Sequence, residues 1–138
     1  MFADFVRSGK VRTTQPDIAL AKSLLIMSKK GVLFAKTHSV NEDNASQLMV
    51  LYYEALRQVC EAVCVIQGYK VFSHEAFTAF IKELLGDSRL AEQFDRLRKL
   101  RNGVNYYGEA ISAAETIAVS QEVPELILKL QRTIKVSE

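Results

Sequence analysis

Arg101 is the residue of this sequence whose position most needs a chemical explanation. On a helix that advances about 100° per residue, Arg101 falls about 20° from the line through Leu90. The apolar residues nearest that line are Phe94, Leu97 and Val104. A guanidinium stays charged when it is buried, so a core-facing arginine requires an acid, carbonyl groups, a partner subunit or an anionic ligand. We therefore expect Arg101 to be the functional centre.

The residues that follow this arginine carry further groups suited to a phosphate. Asn105 lies one helical turn beyond the arginine, and Asn102 and Tyr106 form a second pair four residues apart. Gly103 costs about 1 kcal/mol of helix stability relative to alanine, so the helix is expected to loosen or end there and to bring Tyr106 and Tyr107 back towards the arginine. A forked guanidinium, amides and aromatic rings together favour a nucleotide or RNA phosphate as ligand.

Three more cations precede Arg101 on the same helix, at Arg96, Arg98 and Lys99. Cations near the C-terminal end of a helix interact favourably with its dipole, which explains Arg96 and Lys99 without a ligand. Arg98 stays a candidate ligand-binding residue beside Arg101.

A purely structural role is the alternative for Arg101. The guanidinium would then pair with an acid such as Glu54 or Glu61, and the tyrosines would fill the core with their hydroxyl groups turned to water. Spacing and composition leave these two interpretations open.

The composition is that of a single globular domain. The 138 residues are 49% hydrophobic and 25% charged, with a net charge of +2 that is too small to demonstrate a nucleic-acid partner. The first residues lack the apolar core of a secretory signal, and no stretch of about 18 apolar residues is free of charges. We therefore expect a cytoplasmic protein with no membrane partner.

Metal and cofactor chemistry is not expected. Cys60 and Cys64 lie four residues apart without a second pair that would complete a zinc site, so they are interpreted as small core or interface residues. No carboxylate cluster has metal-ligand spacing, and neither GxxxxGK[ST] nor GxGxxG occurs. These absences argue against a metalloenzyme or an autonomous nucleotide hydrolase.

The apolar spacing predicts an all-α, up-and-down antiparallel bundle of about five helices with no strand. Residues 16 to 136 would form the bundle and residues 1 to 15 an N-terminal arm. The first helix is expected from Pro16 and Asp17 to about Thr37. The second ends at Gly68 and is apolar on two faces, which predicts either a central position or packing against another subunit.

The remaining helices are bounded by capping signals. Ser73 is expected to cap the third helix, and Ser88 the fourth, which carries Arg101. The chain from about Glu109 is again helical, with a kink or a new segment expected at Pro124.

Three features in order resemble the HEPN (higher eukaryotes and prokaryotes nucleotide-binding) family over about residues 16 to 136. They are Tyr52 and Tyr53 in the second helix, the turn GYKVFSHEAF before the third, and Arg101-Asn102 with an aromatic residue close behind. The resemblance implies a bundle that dimerises and brings both copies of a motif of arginine, four to six spacer residues and histidine to a shared cleft. In active members the arginine holds the scissile phosphate and the histidine moves protons in metal-independent RNA cleavage.

This sequence departs from that motif because Tyr106 stands at the histidine position. A phenol is deprotonated at only about one part in a thousand at neutral pH, and loss of a tuned acid or base typically costs about 10²–10⁴-fold in rate. The phosphate-holding half of the motif is retained and the proton-moving half is not. His74, in the first turn of the third helix, is expected to cap or to form a core hydrogen bond.

Three functional hypotheses follow. The leading one is a HEPN-like homodimer whose cleft binds a nucleotide or RNA phosphate without efficient catalysis, with a small nucleotidyltransferase as a toxin-antitoxin partner and Tyr106 or Tyr107 as a modification target. The second is a metal-independent ribonuclease toxin with Arg101 and Tyr106 as catalytic residues, or with His74 supplied by the fold. The third is a structural dimerisation scaffold in which Arg101 pairs across subunits.

Overall fold

The protein is a helical bundle with one small sheet. The computed structural model describes residues 1–137, and the side chains of residues 135–137 are not considered. Within this range the elements in chain order are α1 Phe2–Arg7, β1 Val11–Thr13, α2 Ile18–Lys36, α3 Ala45–Ile66, β2 Tyr69–Val71, α4 His74–Glu83, α5 Ser88–Tyr107 and α6 Ala113–Ser137. The predicted all-α class is confirmed in its main feature, and the described residues add a helix and two strands to it.

Helix α3 is the centre of the bundle. Of its 22 residues, 14 are buried, including both cysteines. Helices α2 and α6 pack along it, and α5 crosses it near Tyr53. The two apolar faces of α3 are therefore covered within the chain, and the predicted core role of Cys60 and Cys64 is confirmed. Burial raises the pKa of the Cys64 thiol.

The antiparallel arrangement is confirmed for α2 and α3. The amide of Asp17 donates to the carbonyl of Val65 at 3.1 Å, and the hydroxyl of Ser28 donates to the carbonyl of Ala55 at 2.7 Å. Helix α6 instead starts at the same end of the bundle as α3, where Thr116 donates to the carbonyl of Ala45 at 2.8 Å. This pair departs from strict up-and-down alternation.

Residues 1–15 are not a separate arm. Phe2 is buried and its ring packs edge-on against Tyr69 at 5.2 Å and Phe80 at 5.8 Å. Strand β1 pairs with β2 in antiparallel register, and Val11 of β1 is buried beneath the sheet. The expectation of no strand was wrong because three-residue strands are too short to give a periodic pattern.

One expected cap needs correction, and two other expected helix boundaries are met only in part. Asp87, not Ser88, caps α5, because its carboxylate accepts a hydrogen bond from the amide of Leu90 at 2.9 Å. Ser73 occupies the cap position of α4, but its hydroxyl makes no capping hydrogen bond. Pro124 lies inside α6, which continues through it as one helix and does not start a new segment there.

Candidate functional site

A polar cleft lies where the starts of α4 and β1 meet the C-terminal half of α5. Its volume is about 490 Å³, and it is lined by Lys10, Phe72, Ser73, His74, Glu75, Arg98, Arg101, Asn102 and Tyr106. A second cavity of about 560 Å³ lies between α2 and α6, but most of its lining residues are apolar. The polar cleft is therefore the place where the predicted site residues and charged chemistry meet.

Arg101 is held in this cleft between two aromatic rings. Its Cζ lies 5.8 Å from the ring centroid of Tyr53 and 5.7 Å from that of Tyr106. Both distances fall within the range of cation–π attraction, which fixes the guanidinium without consuming its N–H donors. The apolar stripe explains the position, because Leu97 one turn earlier and Phe94 two turns earlier on α5 are fully buried.

The hydrogen-bonding capacity of Arg101 is largely unused. Its Nη1 lies 3.5 Å from Asn102 Oδ1 and 3.5 Å from Tyr106 Oη, at the outer limit for a hydrogen bond. Its Nε is buried and has no acceptor, and the guanidinium forms no ion pair with any residue among 1–137. A buried charged donor without a partner is costly, so this nitrogen is available to an acceptor such as a water or an anion.

The acids that could have neutralised Arg101 are bound to another arginine. Arg57 donates from Nη1 to Glu61 at 2.6 Å and from Nε to Glu54 at 3.1 Å, and its Nη2 also contacts Glu54. The hydrogen bond from Arg57 lowers the pKa of Glu54. The structural alternative, in which Glu54 or Glu61 pairs with Arg101, is therefore not what the structure contains.

Two other arginines of α5, Arg98 and Arg96, are paired with carboxylates. Arg98 donates from Nε to Asp95 at 2.9 Å, and its Nη1 lies 3.9 Å from Glu75 on α4. Arg96 pairs with Glu122 of α6, outside the cleft. Arg98 therefore lines the cleft as predicted, but its charge is shared with two carboxylates.

His74 and Tyr53 form a hydrogen-bonded pair beside Arg101. Tyr53 Oη and His74 Nδ1 are 3.0 Å apart. Burial raises the pKa of Tyr53, against the lowering effect of Arg101. Burial, with the charges of Arg57 and Arg101, lowers the pKa of His74, which favours the neutral imidazole. The predicted core hydrogen bond of His74 is confirmed, although the same residue also lines the cleft.

Helix α5 does not loosen at Gly103. It continues to Tyr107 and ends at Gly108, whose φ of +64° lies in the left-handed region that suits glycine. Tyr106 comes within reach of Arg101 on the regular helix, so no bend is needed. Asn105 and Tyr107 are exposed and do not line the cleft, and 77% of Tyr107 is accessible to solvent. The structure therefore brings Arg98, Asn102 and Tyr106 to Arg101, and leaves Asn105 and Tyr107 outside the cleft.

The sequence patterns did not assign four residues to the cleft, namely Lys10, Phe72, Ser73 and Glu75. Lys10 and Phe72 are far apart in the chain, and pairing of β1 with β2 brings them together, with the amide of Phe72 donating to the carbonyl of Lys10 at 2.8 Å. No local pattern predicts this contact.

The described part of the chain was also compared with the requirements of a metal site and of a membrane-spanning helix. Residues 1–137 contain no group of three or more His, Cys, Asp or Glu side chains arranged to hold a metal ion. None of the helices in that range combines the length and apolar character needed to cross a lipid bilayer.

Comparison of the sequence with models of known protein families and with curated proteins gives no match. The residues and geometry of the cleft are therefore the features from which a function can be inferred.

Proposed function

We propose that this protein is a HEPN-like module that binds the phosphate of a nucleotide or RNA in the cleft around Arg101. The observation that carries the proposal is the guanidinium with a buried, unpartnered Nε and weak Nη1 contacts, whereas Arg57, Arg96 and Arg98 are each paired with a carboxylate. A phosphate supplies the acceptor oxygens that such a fork lacks.

The rest of the cleft fits a nucleotide better than a bare anion. Asn102 supplies an amide for a sugar or base edge, and Tyr106 presents a ring that is 68% exposed and suited to stacking. Glu75 lies at the cleft as well, but it is close to Arg98 and does not neutralise Arg101.

The test is a titration of the purified chain with AMP, ATP and a short RNA. Arg101→Met should abolish saturable binding, because the methionine keeps the volume of the side chain and removes its donors. Arg96→Met is the matched control, since it removes the same charge from the same helix outside the cleft. Absence of saturable binding by the wild type, or equal loss in both variants, would contradict the proposal.

A ribonuclease is the second candidate, and His74 is the observation that favours it. The imidazole lies in the same cleft as Arg101, its lowered pKa leaves it able to accept a proton at neutral pH, and its Nε2 has no hydrogen-bond partner among residues 1–137. Tyr106 is the other candidate for a catalytic role beside Arg101.

Incubation of the protein with total RNA in the presence of a chelator tests this candidate. Cleavage that is lost in His74→Asn and Arg101→Met, and kept in His38→Asn, would support it. Lack of cleavage by the wild type would remove the enzymatic candidate and leave the binding module.

The proposed module is a homodimer with a small nucleotidyltransferase as partner in a toxin-antitoxin pair. Both Tyr106 and Tyr107 are exposed at the end of α5, which makes either phenol accessible for modification by such a partner. Sedimentation equilibrium tests the dimer, and a mass shift on Tyr106 or Tyr107 after incubation with a small nucleotidyltransferase and ATP tests the partner. A monomer at micromolar concentration would contradict the dimeric proposal.

A further inference from the structure

The two-stranded sheet presents an uncompensated pair of cations to solvent. In the antiparallel register Arg12 lies directly opposite Lys70. Val11 next to Arg12 is buried, so alternation along the strand turns Arg12 and Lys70 outward, and both are exposed. Neither forms an ion pair with any residue of the described range. Like charges directly opposite each other destabilise a sheet, so this pair requires an explanation other than stability.

The charged face of the sheet is continuous with the Arg101 cleft. Lys10 precedes β1 and Phe72 follows β2, and both residues line the cleft. Lys10 likewise forms no ion pair among residues 1–137. Together Arg12, Lys70, Lys10 and Arg101 form a basic track from the sheet into the cleft.

An exposed aromatic ring lies within this basic track. Phe72 is 60% exposed, although a phenylalanine gains free energy by burial, and the Arg12 guanidinium lies 5.7 Å from its ring centroid. Cations spaced along a groove with an aromatic face between them are the arrangement that proteins use for single-stranded nucleic acids. A duplex would keep its bases stacked inside, and a mononucleotide would occupy the Arg101 end alone.

We propose that the basic track binds a single-stranded polynucleotide, with one phosphate at Arg101, a base stacked on Phe72 and further phosphates beside Lys10, Arg12 and Lys70. The inference rests on the proposed phosphate site at Arg101 and extends it from one nucleotide to a strand.

The experiment compares AMP with single-stranded RNA and DNA octamers of the same mixed sequence over a range of KCl concentrations. The octamer should bind more tightly than AMP. The double variant Arg12→Ala/Lys70→Ala should weaken octamer binding and reduce its logarithmic salt slope by about 1.4, since each phosphate contact of a single strand contributes about 0.7. Binding of AMP should be unchanged in this variant and lost in Arg101→Met.

Two further variants test the stacking on Phe72 and control for the loss of net charge. Phe72→Leu keeps an apolar side chain but removes the ring, and it should weaken octamer binding by roughly 5- to 150-fold. The charge control is Lys22→Ala/Lys36→Ala, which removes the same two charges from exposed positions of α2 outside the cleft. Its octamer affinity should stay much closer to that of the wild type.

The outcomes distinguish this inference from the function on which it rests. The basic track is refuted and the phosphate site stands if AMP binds through Arg101 but the octamer binds no more tightly than AMP. The same holds if Arg12→Ala/Lys70→Ala has the same octamer affinity as the α2 control Lys22→Ala/Lys36→Ala. If neither AMP nor octamer binds, both fail. Tight binding of the RNA octamer, of the DNA octamer or of both supports the track. The octamer that binds more tightly identifies the kind of nucleic acid that the track recognises. The melting temperature of Arg12→Ala/Lys70→Ala should equal or exceed that of the wild type, so that a loss of octamer binding in this variant is not a result of unfolding.

Discussion

Replacement of Arg101 by methionine separates a ligand-binding role from a structural one, because the two roles predict changes in stability of clearly different size. Methionine is unbranched, favours helices and fills irregular apolar space. It therefore removes the guanidinium while keeping the contacts of the side chain stem with the apolar stripe of α5.

The expected change in the free energy of unfolding follows from the contacts of the guanidinium. Removal of the buried, unpartnered Nε–H gains about 1–3 kcal/mol, the desolvation cost of such a group. Loss of the contact with the buried Tyr53 ring costs about 0.5–2 kcal/mol, and loss of the contact with the exposed Tyr106 ring costs about 0.5–1 kcal/mol. The net effect lies between a loss of about 2 and a gain of about 2 kcal/mol.

A scaffold in which Arg101 forms a buried ion pair across subunits predicts a loss of about 3–5 kcal/mol for the same change. Urea unfolding followed by circular dichroism measures the difference, and measurement at two protein concentrations separates folding from association. A loss of 3 kcal/mol or more, or a variant that still binds AMP as the wild type does, would refute the reasoning.

Arg57→Met is the matched control for this measurement. Arg57 also lies beside the core, but both of its carboxylate partners would be left without a cation. The free energy of unfolding should fall by about 2 kcal/mol or more. If Arg57→Met and Arg101→Met lowered the free energy of unfolding by similar amounts, Arg101 would be paired in the folded protein as Arg57 is, and its donors would not be free for a ligand.

Three further predictions concern stability. Gly103→Ala should raise the free energy of unfolding by about 0.5–1 kcal/mol, because the added Cβ meets the flexible carboxylate of exposed Glu109, which can move, and alanine favours the helix; a destabilised variant in urea unfolding would contradict this. Asp87→Ala should lower the melting temperature through loss of a cap worth about 0.5–2 kcal/mol, whereas Ser88→Ala should leave it nearly unchanged. Burial and nearby arginines lower the pKa of His74 from its ordinary 6.5, so below that pH the unfolded chain binds more protons than the folded chain. The free energy of unfolding should therefore fall as the pH is lowered from 7.5 to 5.5. His74→Asn should show a smaller fall in the urea midpoint over that interval.

The helices could be predicted from sequence because their signals are local. Apolar residues at helical spacing indicate α3 and its central position. Asp17 marks the start of α2 and Gly68 the end of α3, and the structure has both boundaries within two residues of these positions. The cap of α5 was assigned one residue too late, because Asp87 and Ser88 are both good capping residues and only the geometry distinguishes them. Glycine at 103 was expected to end the helix, but its propensity cost is small beside the packing of α5 on the core.

The sheet and its side of the cleft could not be predicted for the opposite reason. Strand β1 pairs with a partner more than 50 residues away, and each strand has only three residues. The contact between Lys10 and Phe72 depends on that pairing. Arg101 itself was predictable, since a charge on an apolar stripe is visible in the sequence, but its lack of an acid is a property of the folded chain. Arg57 takes both nearby glutamates, and the sequence spacing alone would have allowed either arginine to do so.

The most direct test of the phosphate site observes the orphan donor itself. In a ¹⁵N-labelled sample the Nε–Hε signal of Arg101 can be assigned by its absence from the spectrum of Arg101→Met, and then followed as AMP is added. The account predicts a saturable shift of this signal at the ligand concentrations that also shift Asn102 and Tyr106. If the Arg101 signal stays fixed while AMP saturates the protein elsewhere, or if no signal moves at all, the cleft does not hold a phosphate.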